Sequence, residues 1–299
     1  MTTFEHCSLR DIAQSVVGQV VFNRTLPGEH GLLRLRVGKV ARRVMPGHFV
    51  QVICDPGLTL PRPFSLMDAD AEKGTVDLFY RVVGVGTGIM ASWKGGEEIR
   101  LLMPLGRPFM WPKAKVNVLL IAGGAGLAPV HFLARRLVER KFAPVMAWGI
   151  ETESPMMTIE ARMDGFPLDV AFVDSPEALA ALDAVGVSSR LASMVATPGR
   201  FHGYVTDLAE QYLIHSPEEV RRRTVVYACG PTPMLQAVHR LVERFGLEGQ
   251  VSLEERMACG FGVCAACVAP VRTETGWTYR KICTDGPVFP IADIAWEKY

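Results

Sequence analysis

Short apolar and alternating runs fill the first third of the chain and predict β-strands. Between Val16 and Leu105 these runs are separated by Pro-Gly or Gly-rich breaks, and no long helical pattern interrupts them. Short strands without intervening helices are typical of an antiparallel barrel. The clearest predicted strands are Leu32–Val37, Phe49–Ile53, Thr75–Val83 and Ile99–Met103.

The middle of the chain changes to alternating strands and helices. Val116–Ile121 is a buried type of strand, and after a Gly-rich turn apolar positions recur at helical spacing from Val130 to Val138. This alternation predicts a parallel, doubly wound α/β sheet, which binds ligands at the carboxyl ends of its strands. Further strands are predicted at Pro144–Trp148, Leu168–Val173 and Thr224–Ala228.

Local signals in the same region predict two helix boundaries and one loop. Ser175-Pro176-Glu177 predicts a helix start, because proline is favoured at the first helical position. A helix with apolar positions from Leu235 to Phe245 is predicted to stop before Gly246. The irregular stretch from Ser188 to His202 is interpreted as a surface insertion.

Length and composition describe an ordinary multidomain protein. The 299 residues allow two or three domains, and 49% hydrophobic with 21% charged residues is typical of a chain with a proper core. A net charge of +1 gives no support for a nucleic-acid partner. The N-terminus shows no secretory apolar segment. The uncharged run Val116–Leu133 contains several glycines and Pro129, so a strand, a turn and a helix explain it better than a membrane span. We therefore expect a cytoplasmic protein without a membrane partner.

Four of the seven cysteines form one constellation near the C-terminus. Cys259, Cys264 and Cys267 follow the spacing C-x4-C-x2-C, and Cys283 is separated from them by fifteen residues. This is the spacing of a plant-type [2Fe–2S] ferredoxin loop. A structural zinc site is the alternative, although zinc ligands usually come as two separated pairs. The other three cysteines are an odd number, which favours a reducing compartment over a disulfide framework.

Two motifs in the predicted barrel suit a flavin. Arg62-Pro63-Phe64-Ser65 offers a charged fork for phosphate, a flat apolar face and a small hydroxyl. Phe79-Tyr80-Arg81 ends a strand, and the loop that follows, with Gly86 and Thr87, offers backbone N–H groups to a pyrophosphate. Each motif alone is equally well explained as a strand entry or a surface turn. Together, in one barrel, they favour the flavin.

Two Gly-rich turns follow predicted strands of the α/β region. The turns Gly123–Gly126 and Cys229–Met234 put free N–H groups where a phosphate can dock, although neither is the G-x-G-x-x-G fingerprint. Cys229 is either a soft group facing a nicotinamide or a buried strand end. The acidic Glu151 and Asp174 favour NADH over NADPH, because a 2′-phosphate needs a basic partner.

The order of these motifs resembles that of the ferredoxin-NADP reductase superfamily, and more closely that of the electron transfer subunits of class 1B dihydroorotate dehydrogenase. The resemblance covers about Val16 to Phe289, and its most specific segments are Ser252–Cys267 and Ile282–Phe289. It implies a multidomain fold with an antiparallel β-barrel for FAD, a doubly wound α/β nucleotide-binding domain and a small C-terminal [2Fe–2S] domain. The boundaries expected are 1–14 for an N-terminal extension, 15–112 for the barrel, 113–248 for the NAD-binding domain and 249–299 for the cluster domain.

The resemblance implies an oxidoreductase subunit with three centres in series. NAD(H) exchanges a hydride with FAD, and single electrons then pass through the [2Fe–2S] cluster to an FMN-containing dihydroorotate dehydrogenase catalytic subunit, in pyrimidine (UMP) biosynthesis. A stable hetero-oligomer with that partner is expected. One alternative is a reductase subunit of a hydrogenase or sulfur-reducing complex. Another is a binding or regulatory subunit that keeps only a structural metal.

The site residues implied by the resemblance fall into three sets, and none is an acid–base catalyst. The cluster ligands are Cys259, Cys264, Cys267 and Cys283. The FAD contacts are Arg62, Pro63, Phe64, Ser65, Phe79, Tyr80, Arg81, Gly86 and Thr87. The NAD(H) contacts are Gly123, Gly124, Gly126, Cys229, Gly230, Pro231 and Met234. The cysteine loop is expected at a docking surface, because one-electron transfer requires close approach.

Overall fold

The structure is a computed structural model that describes residues 13–112, 116–151, 153–161 and 175–299. The predicted strand Leu168–Val173, Asp174 and nearly all of the N-terminal extension lie outside the described residues. The described chain forms a closed barrel, a seven-stranded sheet and two small two-stranded sheets.

Six antiparallel strands form the barrel, which confirms the fold predicted for the first third. The strands are β1 (Gln14–Leu26), β2 (His30–Arg36), β3 (Phe49–Ile53), β4 (Arg62–Asp70), β5 (Thr75–Arg81) and β6 (Glu98–Leu105), with helix α1 (Val85–Ser92) after β5 and a 3₁₀ turn at Gly38–Arg43. Their order is β1-β2-β5-β4-β3-β6. Val50 and Val52 of β3 point into the barrel core together with Leu66 and Leu78. Successive side chains of a strand face opposite sides, so the neighbours of these two valines in β3 face outwards.

The rest of the chain carries eleven strands and six helices among the described residues. The strands are β7 (Asn117–Gly123), β8 (Pro144–Gly149), β9 (Thr158–Glu160), β10 (Glu177–Leu179), β11 (Ser188–Ser193), β12 (Phe201–His202), β13 (Thr224–Cys229), β14 (Glu248–Ser252), β15 (Val268–Thr273), β16 (Gly276–Lys281) and β17 (Val288–Pro290). The helices are α2 (Leu127–Glu139), α3 (Ala180–Asp183), α4 (Val205–His215), α5 (Glu218–Arg222), α6 (Thr232–Phe245) and α7 (Ile282–Asp285). Single 3₁₀ turns occupy Gly124–Gly126, Ile291–Asp293 and Trp296–Lys298.

The large sheet is doubly wound, as the strand–helix alternation predicts. Its order is β12-β11-β8-β7-β13-β14-β17, and all neighbours are parallel except β17, which is antiparallel to β14. Val118 and Leu120 of β7 pack with helix α2 on one face. Leu119 and Ile121 pack with α4 and α6 on the other face. The apolar run that raised the membrane question is therefore β7, a turn and α2. No helix in the described part of the chain is long and apolar enough to cross a membrane.

The chain reverses its direction of growth across the sheet at β7. From β7 it adds β8, β11 and β12 on one side, and it then returns to add β13 and β14 on the other. Such a switch point leaves a crevice at the carboxyl ends of the two central strands, where ligands bind in this class of sheet. The two Gly-rich turns, after β7 and after β13, both lie at this crevice.

Two expectations for the α/β region are wrong. No helix begins at Ser175-Pro176-Glu177: Glu177 starts the short strand β10, which pairs with β9, and its carboxylate forms an ion pair with Arg200. The stretch from Ser188 to His202 is no surface insertion, because Ser188–Ser193 is the fully buried strand β11 beside β8. In both cases tertiary pairing overrides a local signal.

The helix predicted from Leu235 to Phe245 is confirmed and its stop is explained. Helix α6 ends at Phe245, and Gly246 follows in the left-handed conformation with φ of 63°.

The predicted domain boundaries stay predictions. The sheet itself continues beyond residue 248, because β14 and β17 both belong to it.

Candidate cofactor cavity and cluster loop

A cavity of about 1660 Å³ lies between the barrel and the carboxyl ends of the sheet strands. One wall comes from β4 and β5 of the barrel, and the opposite wall comes from the turns after β7 and β13. A third part, Leu253–Met257, follows β14 and leads directly into the cysteine loop. The cavity therefore touches the three regions in which the sequence predicts cofactor sites.

The barrel wall contains most of the residues predicted to bind FAD. Those lining the cavity are Arg62, Pro63, Phe64, Ser65, Phe79, Tyr80, Arg81 and Thr87. The neighbouring strands β4 and β5 bring the two motifs together, since Leu66 pairs with Leu78. The rings of Phe64 and Tyr80 meet edge to face at 6.3 Å, and the Tyr80 hydroxyl donates to Asn23 Oδ1 at 3.0 Å. Phe64 is half-buried at the cavity, whereas Tyr80 is only 3% exposed and supports Phe64 from the barrel core.

Gly86 and Thr87 shape the turn at the start of α1. The Thr87 hydroxyl accepts hydrogen bonds from the N–H groups of Val83 (2.9 Å) and Gly84 (3.2 Å), so its side chain fixes the turn. Gly86 is buried, and a β-carbon there would lie 3.3 Å from Nε of Arg62. Gly86 therefore supports the position of Arg62 rather than lining the cavity. Two guanidinium groups, of Arg62 and Arg81, remain at the cavity, where they suit a pyrophosphate.

The opposite wall contains four of the seven residues predicted to bind NAD(H). Gly123, Gly124, Pro231 and Met234 line the cavity, whereas Gly126, Cys229 and Gly230 lie behind its surface. Gly126 is pressed against the backbone of Cys229, and a β-carbon on Gly126 would be 2.5 Å from the Cys229 carbonyl carbon. The three residues behind the surface hold the two turns together. Their assignment to NAD(H) stays a prediction, as does that of the four lining residues.

Cys229 is completely buried and contacts a carboxyl group that lines the cavity. Its Sγ donates to Oε1 of Glu254 at 3.7 Å. Burial, together with the neighbouring carboxylate, raises the pKa of the Cys229 thiol well above its usual value. Cavity solvent reaches the Glu254 side chain, but protein atoms surround the carboxyl on most sides, and this burial raises its pKa. The thiol is therefore a neutral donor facing Glu254 rather than a thiolate.

Several cavity residues have no motif of their own and were missed from sequence. Trp148 stands at the end of β8, and its indole N–H donates to the Gly124 carbonyl at 3.1 Å. Tyr204 precedes α4 and is 63% exposed at the cavity. Glu254 lies inside the segment Ser252–Cys267. The resemblance of that segment to the family is the sequence signal that could have pointed to Glu254 as a site residue. Glu151, the acidic residue predicted to favour NADH, does line the cavity.

The cysteine loop wraps tightly at the protein surface. Gly260, Gly262 and Ala265 have φ of 76°, 89° and 53°, values that favour glycine. The loop exposes 52% of Phe261 and 75% of Val263 to solvent. The loop therefore lies at the surface, as predicted, and its use as a docking surface stays a prediction.

Hairpin pairing brings the distant fourth cysteine to the loop. Strands β15 and β16 pair Val268 with Lys281, so Cys267 and Cys283 flank the base of the hairpin. The N–H of Ile282 donates to the Cys267 carbonyl at 2.7 Å. Cys264 is exposed and Cys259 half-buried, while Cys267 and Cys283 are both 1% exposed.

Backbone N–H groups of the loop point at cysteine sulfur. The N–H of Cys264 donates to Cys259 Sγ at 3.5 Å. Burial opposes ionisation of Cys259, but hydrogen bonds from the backbone of Cys264, Phe261 and Val263 lower its pKa to about 6. Burial, reinforced by the Cys267 thiol, instead raises the pKa of Cys283 to about 12. N–H groups directed at sulfur fit the thiolates of an iron–sulfur cluster.

Among the described residues, no three His, Cys, Asp or Glu side chains converge as ligands of a single metal ion. A two-iron cluster divides its four thiolates between two irons, so it does not require them to converge on one point.

Solved structures share this fold over most of the chain. The structure of an NADH-dependent reduced ferredoxin-NADP oxidoreductase, studied for flavin-based electron bifurcation, aligns over 94% of this chain and 91% of its own, with a TM-score of 0.75 and 21% identity. A ferredoxin NADP⁺ reductase from Neisseria gonorrhoeae, solved with bound FAD and NADP, covers 79% of this chain and 92% of its own, with a TM-score of 0.58 and 16% identity. The chain therefore has the fold of the ferredoxin-NADP reductases, which the barrel, the switch-point crevice and the cavity define.

Sequence comparison is more specific. The family model described as the iron-sulfur cluster binding domain of dihydroorotate dehydrogenase B matches residues 254–295. The dihydroorotate dehydrogenase B (NAD(+)) electron transfer subunit of Shouchella clausii is 37% identical over 254 residues, 83% of this chain and 86% of that protein. The corresponding subunit of Bacillus mycoides is 34% identical over 255 residues, with the same coverage. The chain belongs to the family of dihydroorotate dehydrogenase B electron transfer subunits.

Proposed function

We propose that this chain carries electrons between NAD(H) and the FMN-containing catalytic subunit of a dihydroorotate dehydrogenase, through FAD and a [2Fe–2S] cluster, in pyrimidine (UMP) biosynthesis. It is an oxidoreductase subunit that works in a hetero-oligomer with that partner. One observation carries the proposal: the segment Leu253–Met257 lines the large cavity and runs directly into the cysteine loop at Cys259. One continuous segment would therefore link the wall of a flavin site to the loop that would hold the cluster.

Residues of the barrel hold FAD in this proposal. Arg62 and Arg81 bind its pyrophosphate, and the N–H groups at the start of α1 add hydrogen bonds. Phe64 and Pro63 offer the apolar surface for the ring system, and Tyr80 supports Phe64 from the barrel core. FAD, when bound, supplies the conversion between a two-electron donor and a one-electron acceptor.

Residues at the switch point of the sheet hold NAD(H). Gly124 leaves the backbone accessible to phosphate, and Gly123 makes room for Met234 and Pro231, which bound the space that faces the barrel. Trp148 fixes the first turn through its hydrogen bond to the Gly124 carbonyl. Glu151, at the carboxyl end of β8, accepts a hydrogen bond from a ribose hydroxyl. Its negative charge would repel a 2′-phosphate, so NADH is preferred over NADPH.

Four thiolates hold the cluster: Cys259, Cys264, Cys267 and Cys283. The two other cysteines among the described residues, Cys54 and Cys229, are free and buried, which suits a reducing cytoplasm. The exposed Phe261 and Val263 place the loop where a second subunit can approach closely.

Replacing one exposed ligand separates the two halves of the electron path. Cys264→Ser should lose the cluster and reduce electron transfer to the partner by at least about 10²-fold, because the loss removes a relay rather than tuning it. NADH should still reduce the bound FAD at the wild-type rate. Iron and sulfide analysis, the visible spectrum and anaerobic stopped-flow reduction by NADH measure these effects.

The matched control is Cys7→Ser, a cysteine outside the constellation, which should keep iron, sulfide and electron transfer. Wild-type electron transfer to the partner in Cys264→Ser would show that the cluster is not on the electron path.

Zinc without iron or flavin in the anaerobically purified protein would contradict the redox function altogether. Co-purification with an FMN protein that forms orotate supports the proposed partner, and a nickel–iron partner would contradict it.

A further inference from the structure

Gln51 lies on the outer face of the barrel, between the flavin cavity and the cysteine loop. Its neighbours Val50 and Val52 point into the barrel core, so Gln51 points outwards with Phe49. Phe49 lines the cavity and also belongs to the apolar core that encloses two of the cluster cysteines. The residue paired with Gln51 in β4 is Pro63, which lines the cavity as well.

The amide of Gln51 is buried without a hydrogen-bond partner. The side chain is 1% exposed, and neither Nε2 nor Oε1 is bonded to any group in the part of the chain that the structure describes. Gln250, the other deeply buried glutamine, shows the usual arrangement: its Oε1 accepts from the N–H of Met110 at 2.9 Å and its Nε2 donates to the Met110 carbonyl at 3.1 Å. A buried amide left without such bonds indicates a partner outside the polypeptide.

The Gln51 amide packs directly on the first turn of the cysteine loop. A β-carbon on Gly260 would lie 2.6 Å from Cγ of Gln51 and closer still to its Nε2. Gly260 has φ of 76° and immediately follows Cys259, the first predicted ligand. Glycine is therefore required here both by the backbone conformation and by the approach of the amide.

We propose that Gln51 donates a hydrogen bond from Nε2 to the sulfur shell of the [2Fe–2S] cluster beside Cys259. This inference rests on the proposed function. Hydrogen bonds to cluster sulfurs stabilise the reduced, more negative state and so raise the reduction potential. Gln51 is a positioning residue of the barrel that tunes the cluster and ties it to the flavin-binding wall.

The test is the potential of the cluster in Gln51→Leu, measured by an EPR-monitored redox titration of the holoprotein. The expected result is a more negative midpoint, with the ratio of reduced to oxidised cluster at a fixed potential lowered about threefold, ~28 mV at 59 mV per tenfold for one electron. Pulsed EPR on protein labelled with ¹⁵N in the glutamine side chains should show a coupled nitrogen in the wild type and lose it in Gln51→Leu.

The matched control is Gln250→Leu, which removes a buried amide bonded within the protein and should leave the cluster potential unchanged. If Gln51→Leu does not assemble a cluster, Gln51→Met keeps most of the side-chain length without any N–H donor or charge, so its midpoint should also fall. Wild-type potential and nitrogen coupling in a cluster-loaded Gln51 variant would overturn the inference. A wild-type protein without iron would instead contradict the proposed function.

Discussion

At the scale of single residues, the crevice of the sheet depends on a glycine that no ligand needs to touch. A β-carbon on Gly126 would fall on the backbone of Cys229, against its carbonyl group and the nitrogen of Gly230. The atoms that the added β-carbon would meet belong to the backbone, so no side-chain rotation can relieve the clash. Gly126 therefore sets how closely the turns after β7 and β13 approach each other.

Gly126→Ala should separate these two turns. We expect a loss of about 1–3 kcal/mol in the free energy of unfolding, the usual range for overpacking a tight contact. We also expect NADH-dependent reduction of FAD to slow on the order of 10²-fold in kcat/KM, because a small displacement of a positioned reactant is costly. Chemical denaturation and stopped-flow absorbance measure the two effects.

Gly88→Ala is the control for stability, because a β-carbon there meets no atom within 4 Å. Gly88 lies in helix α1, so alanine should leave the free energy of unfolding unchanged or slightly higher. Equal stability and equal kcat/KM for Gly126→Ala and wild type would show that the two turns do not need their close approach.

Residues whose chemistry depends on near neighbours in the chain could be predicted from sequence. The spacing of Cys259, Cys264 and Cys267 already specifies one loop. Gln51 could not be found in this way, because only the fold brings it against Gly260, from the other end of the chain. Glu254 was likewise missed, since its contact with Cys229 requires β13 and β14 to be neighbours.

At the scale of elements, strand β11 shows how a polar sequence becomes fully buried. Its residues, Ser188–Ser193, include three serines and an arginine, so an apolar pattern is absent. Hydrogen bonds of buried hydroxyls, rather than apolar side chains, help to hold this strand in place. Ser189 is 0% exposed, and its Oγ accepts a hydrogen bond from the N–H of Leu179 in β10 at 2.9 Å. Pairing with β8 and this cross-link to β10 explain why local signals missed the strand.

Ser189→Ala should weaken the attachment of β10 to the sheet. The N–H of Leu179 would be left buried without its acceptor, which costs about 1–3 kcal/mol of the free energy of unfolding. Ser92→Ala is the control, because the Ser92 hydroxyl is exposed and its loss should change stability by less than about 0.5 kcal/mol. The midpoints of urea unfolding compare the variants, and equal midpoints would contradict the role given to Ser189.

At the scale of the whole molecule, the barrel, the sheet and the cysteine loop come together between the cavity and Cys259. Strand β3 presents Phe49 to the cavity and Gln51 to the loop, and the segment after β14 joins the cavity to Cys259. The sequence predicted three regions with three cofactors, but not this meeting, because it arises from the packing of elements far apart in the chain. The loop is then the outermost point of the path, with Phe261 and Val263 facing solvent.

A charge on this outer face should weaken docking without affecting the inner half of the path. Val263 is 75% exposed and lies next to the ligand Cys264, so Val263→Asp places a carboxylate where the partner must approach. We expect about a tenfold weaker affinity for the catalytic subunit, roughly 1.4 kcal/mol, the scale of a moderate interface residue. Reduction of FAD by NADH should stay within about twofold of the wild-type rate, since the cavity walls do not include Val263.

Val17→Asp is the matched control for that experiment. Val17 is 60% exposed on strand β1 of the barrel, away from the cysteine loop in the chain, and its change should leave affinity for the partner unaltered. Titration of each variant with the catalytic subunit gives the affinities, and EPR of the reduced protein checks that the cluster is intact. Unaltered affinity in Val263→Asp with an intact cluster would mean that the partner docks elsewhere, and electrons would then have to leave by a route other than the exposed loop.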